Sequence, residues 1–589
     1  MNSIYYNPDM LFSKLAEYFE KLESTSSRLS LIDILSKLFD EVKVEEIGQV
    51  SYLIQGRVAP FYEGTEIGMS EKLVAASLAR AYGVKREKIL KDYGQLGDLG
   101  LVAERHSGKR SASRIDSGQA RMTVNEVFST LREIAKTTGD GTVEKKVSSL
   151  ANLLGKVDEI GAKHLVRIPL GVSRLGIGDP TVLDAYAASK LGDRKKRKEL
   201  EGAYNRTSDL GLIGETLWKS GLKAVQNLSV SVGRPIRSQL AERLPTSEKV
   251  IEKLEKVNAQ RKLDGFRVQI HKNGDQIRLF SRNLEETTLM FPEIVSGAKK
   301  QIKAKTAILD AEAIGFNPTS DEFLPFQETT QRRRKYDIEE MSKKIPLKAF
   351  VFDVIYWDGK SLIDLPLTKR LEYLKKIVVG DTLMLEVGEV VDDPKVLQTM
   401  LDDAISHGLE GLVVKRLDSK YEAGARNFNW VKLKRHSSGE LKDTIDVVIL
   451  GYIFGKGKRA SFGAGALLVG VYDKEKDIFV TVSKIGTGLT DEEWREIHKR
   501  ADKIKVDKKP ARAESILVPS VWIKPEIVIE VLADEITRSP IHTAGKIGSD
   551  PGYALRFPRL IKFREADKKA EDATTVKELI GMYQQQFKK

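Results

Sequence analysis

The chain has 589 residues, of which 41% are hydrophobic and 31% are charged, a composition typical of a folded protein with several domains. It contains no cysteine, which excludes disulfides, thiolate zinc sites and cysteine nucleophiles. The net charge of +13 favours a polyanionic partner, although a generally basic surface would give the same number. We find no apolar run long enough to span a bilayer and no signal peptide, so we expect an intracellular, cytoplasmic protein.

Residues 1–230 are predicted to form a helical domain. Apolar side chains recur at helical spacing in segments such as Phe12–Leu22, Val124–Ile134 and Val147–Val157. Glycine-rich connections separate these segments. The basic run Arg194–Lys198 is more typical of a solvated helix face than of a binding patch. We therefore predict an all-α domain at the start of the chain.

The character of the sequence changes twice after the helical region. From 231 to 436, short β-branched strands alternate with helices, and the polar stretch 436–439 has the composition of a hinge. Residues 437–589 are rich in strands and close turns, which predicts a small β-barrel followed by a helix capped by Thr574 or Thr575. The predicted fold class is thus multidomain α+β, with an all-α, a mixed and a barrel domain in that order.

The sharpest motif is Lys262-Leu263-Asp264-Gly265-Phe266-Arg267. A lone motif of this kind could also be a β-turn with exposed charges. Its chemistry suggests more, because a lysine acts as a nucleophile when it is neutral, and neighbouring cations and desolvation lower a lysine pKa. Arg261 and Arg267 flank Lys262 in sequence. The glycine would let the backbone approach a bound nucleotide.

An ordered series of polar and aromatic residues follows this motif. Each member has a bland interpretation by itself: Phe352 is a typical core residue, and Glu312 a typical salt-bridge partner. Their occurrence in one order is hard to explain by chance. The series comprises Arg282 in Ser281–Asn283, Glu312 in Leu309–Ala313, Phe352 in Phe350–Val354, Glu410 in Glu410–Lys415, and Arg426, Trp430, Lys432 and Lys434 in Arg426–Lys434.

This series resembles the covalent nucleotidyltransferases and, among them, the ATP-dependent DNA ligases of the archaeal and eukaryotic replicative type. The resemblance covers nearly the whole chain, with less diagnostic patterns in Tyr52–Pro60 and Gly94–Gly100 and C-terminal motifs in 456–459, 483–488 and 555–559. It implies an adenylation domain in the centre and an OB-fold at the end. The implied activity is nick sealing in duplex DNA through a lysine–AMP intermediate, in replication, repair and recombination.

The resemblance also implies a role for each site residue. Lys262 would attack the α-phosphate, Arg267 and Arg282 would bind ribose and phosphate or the nicked end, and Glu312 would hold the ribose. Phe352 would stack on the base while Trp430 closes its other side. Arg426, Lys432 and Lys434 would neutralise phosphates, and Glu410, together with Glu312, would hold Mg²⁺ or Mn²⁺.

For the later steps, the resemblance implies a moving C-terminal domain. Its basic side chains (Arg556, Arg559, Arg564 and Lys568) would reach the nucleotide for enzyme adenylation, and the domain would then rotate away while the helical domain encircles the duplex. We expect ATP as the AMP donor, nicked double-stranded DNA as the substrate and a monomeric enzyme. A sliding clamp stays open as a partner, since the segment Tyr583–Phe587 is rich in glutamine but lacks the usual aromatic pair.

Two positions depart from the family pattern. Gln260 stands where a glutamate usually reads the adenine amino group. An amide both donates and accepts hydrogen bonds, so we predict a looser nucleotide choice that includes ADP or GTP. The second departure is one additional residue in Arg564–Lys568, which leaves the roles of Asp567 and Lys568 open.

Three other functions remain as alternatives. An RNA ligase or an mRNA-capping enzyme would share Lys262, but neither class usually carries so large a helical domain before the catalytic core. A catalytically inactive DNA-binding scaffold is the third. The complete set of Lys262, Glu312, Glu410, Lys432 and Lys434 argues against it.

Overall fold

The computed structural model describes most of the chain and divides it into two compact units, Met1–Leu433 and Lys434–Lys589. The predicted domain boundary at 436/437 lies close to this division, whereas the boundary at 230/231 lies inside the first unit. The predicted hinge at 436–439 lies outside the described residues. Described are residues 9–111, 122–316, 324, 326–334, 336–406, 409–434, 443–454, 464–486, 489–533, 535–539, 541–548, 550–556, 558–564 and 568–586.

The N-terminal part of the first unit is helical, as predicted. Its helices pack around one core that includes Phe12, Leu15, Phe19 and Leu131. The helices are α1 (Phe12–Glu23), α2 (Arg28–Glu41), α3 (Ile47–Ile54), α4 (Glu71–Tyr82), α5 (Arg86–Leu96), α6 (Leu99–Ser111), α7 (Val124–Lys136), α8 (Thr142–Leu154), α9 (Glu159–Arg167), α10 (Asp179–Leu191), α11 (Arg197–Thr207) and α12 (Leu210–Gln226).

Helix α7 shows how the sequence specifies these elements. The Thr123 hydroxyl accepts a hydrogen bond from the Glu126 amide at 3.2 Å, and the Glu126 carboxylate accepts one from the Thr123 amide at 2.8 Å. This reciprocal capping satisfies backbone donors that the first helical turn leaves without partners. The apolar side chains Val127, Leu131 and Ile134 then face the core at helical spacing.

The central part of the chain, the predicted adenylation domain, is built on two sheets. Its strands are β1 (Leu240–Arg243), β2 (Val257–Lys262), β3 (Phe266–Asn273), β4 (Gln276–Ser281), β5 (Thr306–Gly315), β6 (Leu347–Trp357), β7 (Lys360–Ser361), β8 (Leu383–Leu385), β9 (Glu389–Val391), β10 (Gly411–Arg416) and β11 (Arg426–Lys434). Its helices are α13 (Ser247–Leu254), α14 (Pro292–Gln301), α15 (Phe326–Thr329), α16 (Ile338–Lys344), α17 (Leu367–Ile377) and α18 (Pro394–Ser406).

The strand order of the two sheets places the site residues on neighbouring strands. One sheet has the order β1-β11-β10-β2-β9, and the other has the order β4-β3-β5-β6-β7 with β8 paired to β6. Each sheet packs one apolar face into its own hydrophobic core. The opposite faces meet, since Phe352 of β6 contacts Trp430 of β11. Because side chains alternate along a strand, the polar residues of β2 and β5 are directed into the groove between the sheets.

The C-terminal unit is rich in β-structure, as predicted. Its strands and helices are β12 (Ile445–Ile453), β13 (Ala466–Asp473), β14 (Ile478–Ile485), β15 (Lys505–Val506), β16 (Ala513–Glu514), β17 (Val521–Ile523), β18 (Val528–Leu532), β19 (Glu535–Ser539), β20 (Gly552–Arg556), β21 (Arg559–Phe563), α19 (Asp491–Asp502) and α20 (Val576–Gln585). One sheet has the order β15-β17-β12-β13-β14-β16, and β18 pairs with both β12 and β21. A second sheet consists of β19 and β20.

The final helix is capped by Thr575, one of the two residues predicted for that position. The Thr575 hydroxyl accepts from the Glu578 amide at 3.2 Å, and the Glu578 carboxylate accepts from the Thr575 amide at 2.8 Å. Among the residues that the structure describes, we find no helix long and apolar enough to cross a membrane.

Candidate active site

Lys262 is the last residue of β2 and lies at the mouth of the groove between the two sheets. In the antiparallel pairing of β2 with β10 it is opposite Gly411, which brings it next to Glu410. The Lys262 amine (Nζ) lies 2.6 Å from Oε2 of Glu410, and both side chains are 22% exposed. The predicted nucleophile and the predicted metal ligand are therefore in direct contact, at a place that solvent can reach.

The turn after Lys262 requires glycine. A Cβ atom at Gly265 would come within 2.3 Å of the Ala313 carbonyl oxygen, so the turn could not lie this close to β5 with any other residue. The Gly265 amide donates a hydrogen bond of 3.2 Å to Oε1 of Glu312. The contact ties the lysine motif to the carboxylate predicted to hold the ribose.

Glu312 lies within the groove on β5, opposite Arg267 of β3. Burial raises the pKa of Glu312 to about 7, although the nearby charges of Arg267 and Lys262 favour its ionised form. The carboxyl group is therefore poised to change its charge near neutral pH, which is typical of groups in functional sites.

The guanidinium group of Arg267 is held by fixed partners. It donates to both carboxylate oxygens of Asp310, at 3.0 and 2.6 Å, and to the Gln239 carbonyl at 2.8 Å. Tyr421 also donates to Asp310, at 2.8 Å. Burial alone would lower the pKa of Arg267, but the charge of Asp310 raises it above its usual value. Arg267 thus remains charged, in a fixed orientation beneath the groove.

Arg261 is likewise paired with a carboxylate. Its guanidinium donates to Oε2 of Glu386 at 2.9 and 2.7 Å, and its amide donates to Oε1 at 3.1 Å. The two arginines that flank Lys262 in sequence are therefore each balanced by an acid. Their charges are not directed at the lysine as free cations, in contrast to what their order in the sequence suggested.

The aromatic residues of the groove meet edge to face. The rings of Phe352 and Trp430 lie 6.1 Å apart between centroids, with planes inclined by 78°. Trp430 is only 3% exposed and also meets Tyr421 edge to face. Stacking on both sides of a base requires near-parallel planes. Trp430 packs edge-on beside Phe352 here, and its closing of the second side of the base stays a prediction.

Lys415 is a residue of the groove that the sequence reasoning missed. Its amine lies over the rings of Trp430 and Phe352, 4.1 and 4.6 Å from their centroids, and 3.4 Å from the Phe352 carbonyl oxygen. The side chain is 1% exposed, and burial lowers its pKa to about 7, although Asp353 favours the charged form. The signal was present in the motif Glu410–Lys415, but its burial depends on the packing of two sheets.

Gln260 lies on the same face of β2 as Lys262 and is 2% exposed. Its Nε2 donates a long hydrogen bond of 3.4 Å to the Phe352 carbonyl. A Cβ atom at Gly388, whose φ is +63°, would come within 2.7 Å of the Gln260 Cγ, so the glycine permits the chain to cover this side chain. Gln260 is therefore next to Phe352, where a base stacked on Phe352 would lie.

The remaining predicted cations lie at three positions. Lys432 and Lys434 alternate with buried Leu433 on β11 and share the face of Trp430. Arg426, the first residue of β11, is exposed. Arg282 is exposed after β4 and lines a separate cavity between the helical region and the adenylation domain. The structure thus brings together Gln260, Lys262, Arg267, Glu312, Phe352, Glu410 and Trp430, and Arg282 lines a cavity whose lining includes none of these residues.

In the C-terminal unit, two of the predicted basic residues are engaged locally. Arg564 lies 2.8 Å from Glu530 and 3.4 Å from Asp446, and Lys568 also pairs with Asp446. Asp567 and the motif at 456–459 lie outside the described residues. Arg564 and Lys568, the two ends of the segment that contains the additional residue, therefore share the carboxylate of Asp446.

Comparison with known proteins gives one consistent result. The chain matches the family models DNA ligase N terminus over residues 11–187, ATP dependent DNA ligase domain over 238–434, and ATP dependent DNA ligase C terminal region over 460–568. It is 47% identical over 580 residues to a probable DNA ligase of Dictyoglomus thermophilum, covering 98% of each chain. It is 39% identical over 592 residues to a DNA ligase of Sulfolobus acidocaldarius, covering 98% of this chain and 99% of the relative.

A solved structure named Pmar-Lig_Pre shares the fold, with 16% identity and a TM-score of 0.51 over 93% of this chain and 99% of that one. The class defined by these matches is an enzyme that joins DNA and takes AMP from ATP. The chain belongs to the family of ATP-dependent DNA ligases. Replication and repair are consistent with that activity, while the RNA ligase, capping and scaffold alternatives gain no support.

Proposed function

We propose that this ligase seals nicks in duplex DNA through an AMP adduct on Lys262. The observation that carries the proposal is the 2.6 Å contact between Lys262 Nζ and Glu410 Oε2 at the mouth of the polar groove. In the first step the amine attacks the α-phosphorus of ATP, forming a P–N bond and releasing pyrophosphate. The AMP then passes to the 5′-phosphate at the nick, and the 3′-hydroxyl displaces it to close the strand.

Glu410 is placed to accept the proton that Lys262 must lose before it attacks. A lysine nucleophile acts in its neutral form, and a base must lie within hydrogen-bond distance of the proton that it removes. Oε2 of Glu410 meets that requirement in the resting enzyme. The contact also fixes the position of the amine, which limits the conformational freedom lost when ATP binds.

We assign the nucleotide to the groove beside Lys262, between the two sheets. Phe352 supplies the face on which the base stacks, and Gln260 lies at its edge. Glu312 accepts hydrogen bonds from the ribose, while Arg267 positions Asp310 and the rings around it. Lys432 and Lys434 lie on one face of β11 with Trp430, and Arg426 begins that strand on exposed surface, where these cations can reach phosphates.

The donor atoms fit a hard divalent cation. Mg²⁺ and Mn²⁺ prefer carboxylate oxygens, and Glu410 and Glu312 both lie beside Lys262 in the groove. When bound, the ion would neutralise the charge that spreads over the phosphate oxygens during transfer. The protein contributes the fixed carboxylates and the surrounding cations.

Nucleotide choice is proposed to be looser than ATP alone. The support is Gln260, because its amide can accept a hydrogen bond from the adenine amino group or donate one to the guanine carbonyl. Self-labelling with α-labelled ATP, ADP and GTP tests this directly. Labelling by ATP alone would contradict it, and Gln260→Glu should reduce labelling by GTP more than labelling by ATP.

The proposed partner is nicked double-stranded DNA inside the cell. We expect the ligase to bind it as a monomer, since one chain contains the whole groove. A clamp contact gains no support from the glutamine-rich C-terminal segment: Tyr583 packs against Tyr553 at 5.0 Å between ring centroids, and Gln586 exchanges two hydrogen bonds with Ile536. Phe587 lies outside the described residues. Light scattering with and without nicked duplex would test the proposed monomer.

A two-stage labelling experiment tests the central proposal. The enzyme is incubated with α-labelled ATP and Mg²⁺, and the labelled protein is then chased with a nicked duplex. We expect a covalent label that moves to the DNA, and no label in Lys262→Ala. Lys256→Ala, which removes an exposed lysine six residues earlier, is the matched control and should label normally. Strand joining by Lys262→Ala at the normal rate would overturn the proposal.

A further inference from the structure

A cavity outside the nucleotide groove lies where the helical region meets the adenylation domain. Its volume is about 410 Å³, and its lining includes Arg57 from the helical region, Arg237 from the connecting segment and Arg282 after β4. Three guanidinium groups from distant parts of the sequence thus face one space. We call it the arginine cavity.

The arginine cavity has an excess of positive charge. Asp179 is the one carboxylate among its described lining residues. Asp179 already accepts hydrogen bonds from Arg237 at 2.6 Å and from Gln55 at 2.7 Å. One carboxylate therefore faces three cations, and its oxygens are engaged by groups of the protein.

Two of the three guanidinium groups have no partner of opposite charge within the part of the chain that the structure describes. Among the described residues, the side chains of Arg57 and Arg282 form no ion pair and no hydrogen bond. Arg57 instead lies over the ring of Phe61, 4.4 Å from its centroid. Arg237 is held by Asp179, but its Nε is buried without an acceptor. The arrangement leaves N–H donors of Arg57 and Arg282 without acceptors among the described residues, in side chains that line an open cavity.

The position of Arg57 is costly without a ligand. Burial lowers the pKa of its guanidinium, although the charges of Asp179 and Tyr204 oppose this shift. A half-buried cation that lacks an anion loses hydration without compensation. Phe61 and Pro60 hold the side chain in the cavity nevertheless. A bound anion would restore the missing charge interaction.

We propose that Arg57, Arg237 and Arg282 bind one phosphate group of the DNA substrate, so that the helical region and the adenylation domain hold the same phosphate. Guanidinium groups suit this ligand because they present parallel N–H donors to phosphate oxygens. The phosphate is either an internal backbone phosphate or the 5′-phosphate at the nick. The inference rests on the nick-sealing function proposed above and assigns Arg57 as a further residue that positions the DNA.

The connecting segment that contains Arg237 is part of the proposed binding surface because its backbone is hydrogen-bonded to both regions. The Arg237 amide donates to the Asn205 carbonyl at 2.9 Å, and the Gly424 amide donates to the Arg237 carbonyl at 2.9 Å. Arg237 therefore joins the helical region to the chain just before β11, the strand that contains Trp430. A phosphate bound here would strengthen the junction of the two regions as it binds.

Binding of nicked duplex to pre-adenylated enzyme tests the proposal, because nucleotide binding then does not enter the measurement. We expect Arg57→Ala to weaken binding about tenfold, as for the loss of a hydrogen bond to a charged group. The slope of log K against log salt should become shallower, by at most about 0.9, the value for one whole phosphate contact. Arg86→Ala, which removes an exposed arginine at the start of α5, is the matched charge control.

Two further variants separate the proposed role from a loss of folding. Arg57→Lys keeps the charge and should recover part of the affinity, while thermal unfolding reports whether Arg57→Ala remains folded. The double variant Arg57→Ala/Arg282→Ala should lose less affinity than the two single changes added together, since both residues hold one phosphate.

Duplexes with a 5′-phosphate or a 5′-hydroxyl at the nick identify the source of the phosphate. An effect of Arg57→Ala that disappears with the 5′-hydroxyl assigns the terminal phosphate, and an effect that persists assigns an internal one. A loss of less than threefold relative to Arg86→Ala, or full additivity with Arg282→Ala, would overturn the proposal. Labelling of Lys262 by ATP is read separately, so that failure here is distinct from failure of the adenylation mechanism.

Discussion

The nucleotide groove and the arginine cavity use the same kinds of side chain in opposite ways. In and beside the groove each of three cations meets a fixed acid: Lys262 with Glu410, Arg261 with Glu386 and Arg267 with Asp310. In the arginine cavity, Arg57 and Arg282 have no such partner among the described residues. Phosphoryl transfer depends on groups held in one position before the reaction. Binding of a backbone phosphate instead requires charges that the protein has not already neutralised.

Removing an acid from the balanced groove should have the largest effect on stability. Asp310 is fully buried, so Asp310→Asn would leave the charge of Arg267 uncompensated. We expect a loss of about 3–5 kcal/mol in the free energy of unfolding, as for other broken buried pairs. Urea unfolding followed by tryptophan fluorescence would measure it.

The control for Asp310→Asn is Glu372→Gln. Glu372 pairs with Lys369 at 3.1 Å, with both side chains more than half exposed. An exposed pair of this kind contributes at most about 1 kcal/mol. Equal losses in the two variants would contradict the view that the groove depends on buried charge balance.

A smaller change in the groove should affect chemistry and leave folding intact. Glu410→Gln keeps the shape of the side chain but removes the oxygen charge that accepts the proton of Lys262. We expect the rate of self-adenylation at saturating ATP to fall about 100-fold, within the usual range for a lost general base. Single-turnover labelling would measure the rate.

Glu389→Gln is a suitable control for Glu410→Gln, because Glu389 is an exposed acid on β9 at the edge of the same sheet. It should label at the rate of the wild type. If Glu410→Gln labelled equally fast, Glu410 would have no part in activating Lys262. The Lys262–Glu410 contact would then be a resting ion pair only.

The smallest expected effect concerns the pH dependence of stability at Lys415. Its folded-state pKa of about 7 is below its usual 10.5, so between these values folding releases a proton. The stability of the wild type relative to Lys415→Met should therefore increase as the pH rises from 7 to 10. Below pH 7 the wild type should be less stable than Lys415→Met by an amount that does not change with pH. Thermal midpoints of both proteins from pH 6 to 10 would show this trend.

Lys256→Met, at an exposed site, should show no such pH-dependent difference from the wild type. A constant difference between wild type and Lys415→Met across the whole range would mean that Lys415 stays charged when folded. The groove would then contain a further buried cation, and the charge balance described above would not hold at that position.

Local sequence patterns determined a large part of this protein. Helical spacing identified the N-terminal helices, and the reciprocal caps at Thr123 and Thr575 act over three residues of chain. Alternation in β2 and β5 puts Gln260 on the face of Lys262 and Asp310 on the face of Glu312, since strand parity needs no distant contact. The motif around Lys262 and the ordered series after it identified the ligase family.

Tertiary structure decided which groups became partners. The acids that balance Arg261 and Arg267 lie 125 and 43 residues away, so the sequence could not show that these cations are engaged. The perpendicular packing of Trp430 and the burial of Lys415 depend on how two sheets meet. The arginine cavity combines residues 57, 237 and 282. Periodicity is a property of neighbouring residues, whereas charge pairing and burial depend on packing between distant segments.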